Sequence, residues 1–293
     1  MPPFVLPLVA VAAVLHATWN VLLKTSGDPL RTAARAMVGG VAVGLPFAVV
    51  AYVANGAPSI PTQAWVLAIA SGLVEAAYFI LLSAAYRRGD LSVVYPIARG
   101  TAPLFAVAAG LVILGERLSP LGAVGVAGLM AGILVIQRPW RYVRAARNGG
   151  GIDTAALFAL ATGVSIATYS AIDSVGVGIV PPWLFAALLF PVGAVALVAW
   201  VRFVDRADVV PAAPWLRATG AGTLSLLAYL FILIAYSVAP LTIVAPLRES
   251  AVVIGSGWGS FRLGEASDRR DGMRRLAGAV LVLAGALLVG LEG

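Results

Sequence analysis

The sequence predicts an all-α membrane protein of ten transmembrane helices, arranged as two inverted-topology five-helix repeats. Three observations carry this prediction. Hydrophobic residues make up 61% of the chain and charged residues only 11%, against roughly 45–50% and 25% in soluble domains. The chain divides into apolar runs of a length that crosses a bilayer. It also echoes itself at a spacing of 150 residues: Pro61 returns as Pro211, Trp65 as Trp215, Tyr86 as Tyr236, Leu91 as Leu241, Val94 as Val244 and Pro96 as Pro246. A fixed period of this kind identifies the building unit. Here the unit is half the chain, and both halves are apolar.

A helix needs about 20 apolar residues to cross a hydrocarbon core of about 30 Å. Ten such segments run near 4–24, 31–54, 63–86, 91–114, 119–137, 153–176, 182–204, 215–237, 241–262 and 274–291. Turn chemistry separates them, as in Ser26-Gly27-Asp28-Pro29, Asn55-Gly56-Ala57-Pro58, Arg88-Gly89-Asp90 and Pro181-Pro182. The basic, glycine-rich stretch 141–152 divides a first repeat, 1–140, from a second, 153–293. Five is an odd number of crossings, so the second copy enters the membrane from the opposite side. Two copies related in this way can exchange inward-open and outward-open shapes around one midplane site. Met1 to Pro7 carries no Lys or Arg, so the first apolar run reads as a retained helix, not a cleaved signal.

The net charge of +7 does not point to nucleic acid. The basic residues lie in short loops: Lys24 and Arg31 at the first, Arg87 and Arg88 at the third, Arg138 to Arg147 in the fifth. Arg202, Arg206 and Arg217 flank the seventh, and Arg262 to Arg275 the ninth. The second, sixth and eighth loops carry none. Lys- and Arg-rich short loops stay cytoplasmic, so the odd loops are expected inside and both termini outside. There is no Cys and a single His, which excludes a thiolate metal site and expects no metal or cofactor. No phosphate-binding Gly-x-x-x-x-Gly-Lys-Ser/Thr loop occurs, so ATP does not drive the protein directly.

Several features together resemble the drug/metabolite transporter superfamily, in particular bacterial proteins with two EamA-type domains. They are the ten spans in two repeats, the first span ending His16-Ala17-Thr18-Trp19-Asn20-Val21-Leu22-Leu23-Lys24, and the fourth and ninth spans each opening with a Pro and closing on Gly-Glu. The resemblance implies a multi-pass protein of the bacterial plasma membrane in which spans one to four and six to nine surround a central cavity. Spans five and ten would be supports or dimer contacts, admitting a homodimer. It implies transport of a small-molecule cargo and leaves the cargo open.

Ionisable groups inside a span are functional hypotheses by default. His16 and Asn20 are four residues apart and share a helix face with Trp19. They form either a cavity stripe, with His16 able to carry a proton, or an interhelical hydrogen bond. Lys24 is expected to snorkel to the interface. Glu75, with Tyr78 three residues on, reads as a proton or cation site, or as the structural partner of Arg99. The fourth span carries Tyr95-Pro96-Ile97-Ala98-Arg99 and the ninth Pro246-Leu247-Arg248-Glu249. Each Pro bends its helix and frees backbone groups, and charge follows at corresponding places in both halves, which points to a transport site with Pro96 and Pro246 as hinges. The favoured partner of Arg99 is Glu75; left unpaired, its guanidinium suits a carboxylate or phosphate. Tyr169 answers to Trp19 in the second copy, with Ser170 and Asp173 beside it as site or interface residues. Trp258 and Ser256 read as weaker, belt-type residues. Glu116 and Glu265 are expected to cap the helix that follows each of them, near Ser119 and Asp268. Gly122, Gly125, Gly128, Gly132, Gly278 and Gly285 mark close packing of spans five and ten.

The function expected is a secondary transporter or exchanger, in the export direction, for a small polar metabolite such as an amino acid. It binds cargo through His16, Trp19, Asn20, Glu75, Tyr78, Tyr95, Arg99, Tyr169, Arg248 and Glu249, with proton coupling through Glu75 or His16. A lipid flippase and a non-transport structural membrane protein are the alternatives. An intramembrane enzyme is not expected, because one His, no Cys and scattered carboxylates supply neither a nucleophile with its base nor a metal set.

Overall fold

The computed structural model describes residues 1–24, 27–89, 91–138, 140, 154–205, 211–249 and 269–291. Ten helices form among them: α1 (Val5–Lys24), α2 (Pro29–Ala54), α3 (Thr62–Tyr86), α4 (Leu91–Val112), α5 (Pro120–Gln137), α6 (Thr154–Gly176), α7 (Pro182–Phe203), α8 (Trp215–Tyr236), α9 (Leu241–Glu249) and α10 (Arg269–Gly290). Each falls on one of the ten apolar segments, the part of the ninth segment beyond Glu249 lying outside the described residues. Six of them, α2, α3, α6, α7, α8 and α10, are long and apolar enough to cross a membrane. The turn residues explain several helix starts. Asp28 accepts from the Arg31 N–H at 2.8 Å ahead of Pro29 at the first helical position, and Ser119 accepts from the Gly122 N–H at 3.1 Å ahead of Pro120. A proline there lacks only an N–H that would be orphaned in any case.

Most helix packing runs between the two repeats, not within them. α2 lies on α8 and α3 on α7; α1 also lies on α8 and α3 on α6; α4 meets α9 and α5 meets α10. Glycines bring the backbones together. A Cβ on Gly40 would sit 2.8 Å from the Gly222 carbonyl oxygen, and one on Gly72 2.6 Å from that of Leu189. Gly72 and Gly222 are themselves 150-residue equivalents, so the same close approach is used on both sides of the pseudo-two-fold. The glycine faces of α5 and α10 pack against each other: a Cβ on Gly285 would lie 2.6 Å from the Gly125 carbonyl oxygen.

Loops sort to two ends as ten alternating crossings require. At one end, Arg87 of the third loop reaches Asp205 of the seventh at 2.8 Å and Asp28 of the first at 3.2 Å, with Arg31 3.9 Å from Asp205. Arg35 donates to the Ala213 carbonyl oxygen at 2.6 Å there, and the Ala213 N–H donates to the Thr32 hydroxyl at 3.0 Å. At the other end the fourth loop meets the start of α9. Glu116 accepts from the backbone N–H groups of Leu241 and Thr242 at 2.7 and 2.8 Å. This corrects the expectation that Glu116 caps the helix that follows it: Ser119 does that, and Glu116 caps α9 of the other repeat. The interleaving of the repeats is the reason, since it brings the end of α4 beside the start of α9. Glu265 lies outside the described residues.

Candidate functional site

The inward faces of α1, α3, α4, α6, α8 and α9 place a connected set of polar side chains in the middle of the bundle. On α1 the three-residue spacing lets the Trp19 indole N–H reach His16 Nδ1 at 3.1 Å, with the rings edge to face at 5.2 Å. On the other side of the imidazole, Arg99 Nη2 lies 2.7 Å from His16 Nε2. Indole and guanidinium carry donors only, and a neutral imidazole has a single acceptor nitrogen. His16 therefore accepts from one of these two neighbours at a time.

Arg99 is 6% exposed and Glu249 2%. They form an ion pair at 3.2 Å joining α4 to α9. Arg99 was expected to pair with Glu75 across the α3–α4 turn. The bundle instead packs α3 against α6 and α7, and sets α4 on α9. Position 249 is the 150-residue equivalent of position 99. Equivalent residues on helices that meet at a two-fold axis face each other, and here they carry opposite charge.

Arg248, 7% exposed, has a different setting from its neighbour. It donates to the Tyr169 hydroxyl at 3.0 Å. Its guanidinium lies 5.2 Å from the centroid of the Tyr229 ring and 5.7 Å from that of Tyr169, a cation–π arrangement. Its Nη1 has no hydrogen-bond partner, and among the described residues it joins no ion pair. Tyr78 stands edge to face with Tyr169 at 6.1 Å. Asp173, fully buried, accepts from the hydroxyls of Ser71 on α3 and Tyr229 on α8, so it ties the repeats together from within.

Glu75, 9% exposed, borders a cleft between α1, α2, α3, α7 and α8, and its Oε2 is buried without a hydrogen-bond partner. Trp19, Met37, Phe79, Phe190 and Ser225 share that cleft. A second small cleft is bordered by Arg248, Glu249, Ser170 and Tyr236.

The structure thus gathers His16, Trp19, Glu75, Tyr78, Arg99, Tyr169, Arg248 and Glu249 into one buried region. Pro246 sits inside α9, two residues before Arg248. The side chains of Asn20, Lys24, Tyr95 and Pro96, and the residues Ser256 and Trp258, lie outside the described set. Tyr229 and Ser225 escaped the sequence reading. A signal was present for each: Tyr229 falls one position from the repeat equivalent of Tyr78, and Ser225 is the equivalent of Glu75.

Two repeats, an apolar exterior among the described residues and buried charge drawn from both halves at the centre fit a membrane-embedded transporter. The family comparison agrees. The model of the EamA-like transporter family matches residues 4–138 and again 153–291, and the chain belongs to that family. Over 61 residues it is 44% identical to the spermidine export protein MdtI of Salmonella paratyphi B, a match that covers 21% of this chain and 56% of that one. Its counterparts in Salmonella newport and Salmonella heidelberg match equally well. The chain spans about half the length of these curated relatives. A crystal structure aligns over 100% of this chain and 99% of its own with a TM-score of 0.72 at 20% identity, which shows that the fold is shared.

Proposed function

We propose that the protein is a secondary transporter that exports a small polar metabolite of the amino-acid class by alternating access around the central polar region. The observation that carries this reading is Arg248. A buried guanidinium with an unpartnered Nη1, a hydrogen bond to Tyr169 and the rings of Tyr169 and Tyr229 beside it is costly in an apolar interior, and it matches the forked geometry of a carboxylate. The Arg99–Glu249 pair beside it offers either charge once it opens. Trp19, Tyr78 and Tyr169 supply the aromatic walls. Asn20 and Tyr95 complete the proposed contacts, Pro96 and Pro246 act as hinges, and His16 and Glu75 carry proton coupling. The partial match to a spermidine exporter favours a second reading, an organic polycation as cargo, with Glu75 and Glu249 as its counter-charges.

Basic odd-numbered loops support a cytoplasmic position for the end where Arg87 meets Asp205, and hence outer termini in a bacterial inner membrane. A homodimer would use the outer surfaces of α5 and α10, since their glycine faces already pack on each other.

Flux in proteoliposomes tests the proposal, using a panel of amino acids, organic anions and polyamines with and without a pH gradient. Saturable amino-acid flux, lost in Arg248→Ala and Arg99→Ala variants that remain monodisperse, is the expected result. Undiminished flux in both variants removes the site assignment, and flux of polyamines alone favours the second reading.

A further inference from the structure

We infer that the Glu75 cleft is a separate subsite for an ammonium group on an apolar stem. The inference rests on the transport reading above and deepens it. The cleft has a particular place in the fold. Glu75 and Ser225 are repeat equivalents, as are Gly40 and Phe190, and all four line it. A cleft bordered by both members of two equivalent pairs straddles the pseudo-two-fold, where a carrier of inverted repeats presents its site to both sides in turn. The two halves contribute unequally. The first gives a carboxylate and a glycine where the second gives a hydroxyl and a phenyl ring. The cleft therefore has a single carboxylate, from the first half, among rings from both halves: Trp19 and Phe79 from the first and Phe190 from the second.

That chemistry selects its occupant. The Glu75 Oε2 is buried and unpartnered, so it demands a positive or hydrogen-donating group. Phe79 stands 6.3 Å from Trp19, ring centroid to centroid, and Phe190 borders the cleft with them; aromatic rings attract an organic cation. Met37 adds a polarisable, adaptable surface. A metal ion would find one carboxylate among rings and a thioether, far short of the several oxygens that a hard cation takes. An anion would meet like charge. On the side away from the rings the carboxylate is closely packed: a Cβ on Gly193 would stand 3.7 Å from Oε2, 2.7 Å from Met37 Cε and 3.2 Å from the Gly72 carbonyl oxygen. An alkylammonium group satisfies the oxygen and lays its stem along the rings.

The test uses the purified full-length protein in detergent, with n-butylammonium as probe and n-butyrate as control. A hydrophobic carbodiimide labels buried carboxyl groups, and mass spectrometry reads Glu75 in the wild-type protein. The expected result is labelling that n-butylammonium suppresses at least tenfold and n-butyrate does not. Equilibrium binding of the amine is expected to weaken at least tenfold in Glu75→Gln and to be retained in Glu75→Asp. Labelling that is absent, or present and indifferent to the amine, overturns the subsite, as does equal amine affinity in the wild type and Glu75→Gln. The outcome is separable from that of the transport reading. Amine binding at Glu75 without flux of any compound would leave the subsite standing and sink transport. Arg248-dependent flux without amine binding would do the reverse.

Discussion

Glu116, at the close of the first repeat's fourth span, holds the backbone of Leu241, the first residue of the second repeat's α9, by a 2.7 Å hydrogen bond, with Thr242 bound beside it at 2.8 Å. Two of the four N–H groups that a helix start leaves unsatisfied are thus met by one carboxylate from the other half. α9 carries Pro246, Arg248 and Glu249, so the cap fixes the depth of the polar centre. Glu116→Ala is expected to destabilise the protein by about 0.5–2 kcal/mol, the usual range for losing a cap. Glu116→Gln keeps one acceptor and should fall between. Thermal unfolding in detergent measures both, and an unchanged midpoint in Glu116→Ala would show that the cap contributes nothing.

The Arg99–Glu249 pair offers a sharper test of the interleaved repeats. Both partners are almost fully buried, and removing one leaves the other as a buried charge without its ion-pair partner, at a cost of about 3–5 kcal/mol. Arg99→Met alone and Glu249→Leu alone should each be severely destabilising. The double variant should be milder than either, because it leaves no orphaned charge. A double-mutant cycle on unfolding midpoints reads this coupling. Additive effects would mean that the two side chains do not face each other.

Much of this fold was legible in the chain. Apolar run length and turn residues placed nine helices within about five residues of where they lie and set the start of α9 at Leu241; the rest of the ninth segment falls on residues outside the described set. The partners of the charged residues were harder. Reasoning from neighbouring spans paired Glu75 with Arg99, because a hairpin brings consecutive helices together. The bundle does not use that contact heavily. Its glycines, Gly40 against Gly222 and Gly72 against Leu189, weld each span to one from the other half. The same 150-residue echo that announced the duplication contained the answer, because positions 99 and 249 are equivalent and meet at the axis. What no spacing could give is the direction of a side chain in an apolar span. Tyr229, one position off the repeat equivalent of Tyr78, takes its meaning from Asp173 and Arg248 on either side of it.

The glycine contacts carry their own prediction. A side chain at 285 would drive into the Gly125 carbonyl and the Leu129 N–H, each 2.6 Å from the new Cβ. These are backbone atoms in a helix and cannot rotate away. Overpacking of this kind typically costs about 1–3 kcal/mol. Gly285→Val should lower the unfolding midpoint and the folded yield. Gly220→Val, whose Cβ would meet nothing within 4 Å, is the matched control and should be nearly silent. Equal loss in the two variants would mean that α5 and α10 do not pack this closely.

At the loop end, Arg87 bridges Asp205 and Asp28 across three loops and both repeats. Hydrogen bonding to Asp205 raises the Arg87 guanidinium further above its ordinary range, so it stays charged at every working pH and salt, not pH, is the informative variable. The Arg87 side chain is 35% exposed, and solvent-exposed pairs are worth about 1 kcal/mol or less. Asp205→Asn is therefore expected to shift the unfolding midpoint only slightly at low salt, with the difference from wild type shrinking as ionic strength shortens the screening length. Its effect on flux should be larger than its effect on stability. The cluster ties the halves together at one mouth, and a carrier that opens there must break it in each cycle, so loosening it should raise the rate of opening on that side. Transport assays of Asp205→Asn and Arg87→Gln at two salt concentrations decide the matter. Unchanged turnover in both would make the cluster a passive staple between loops, and faster turnover that converges with wild type at high salt would make it a latch.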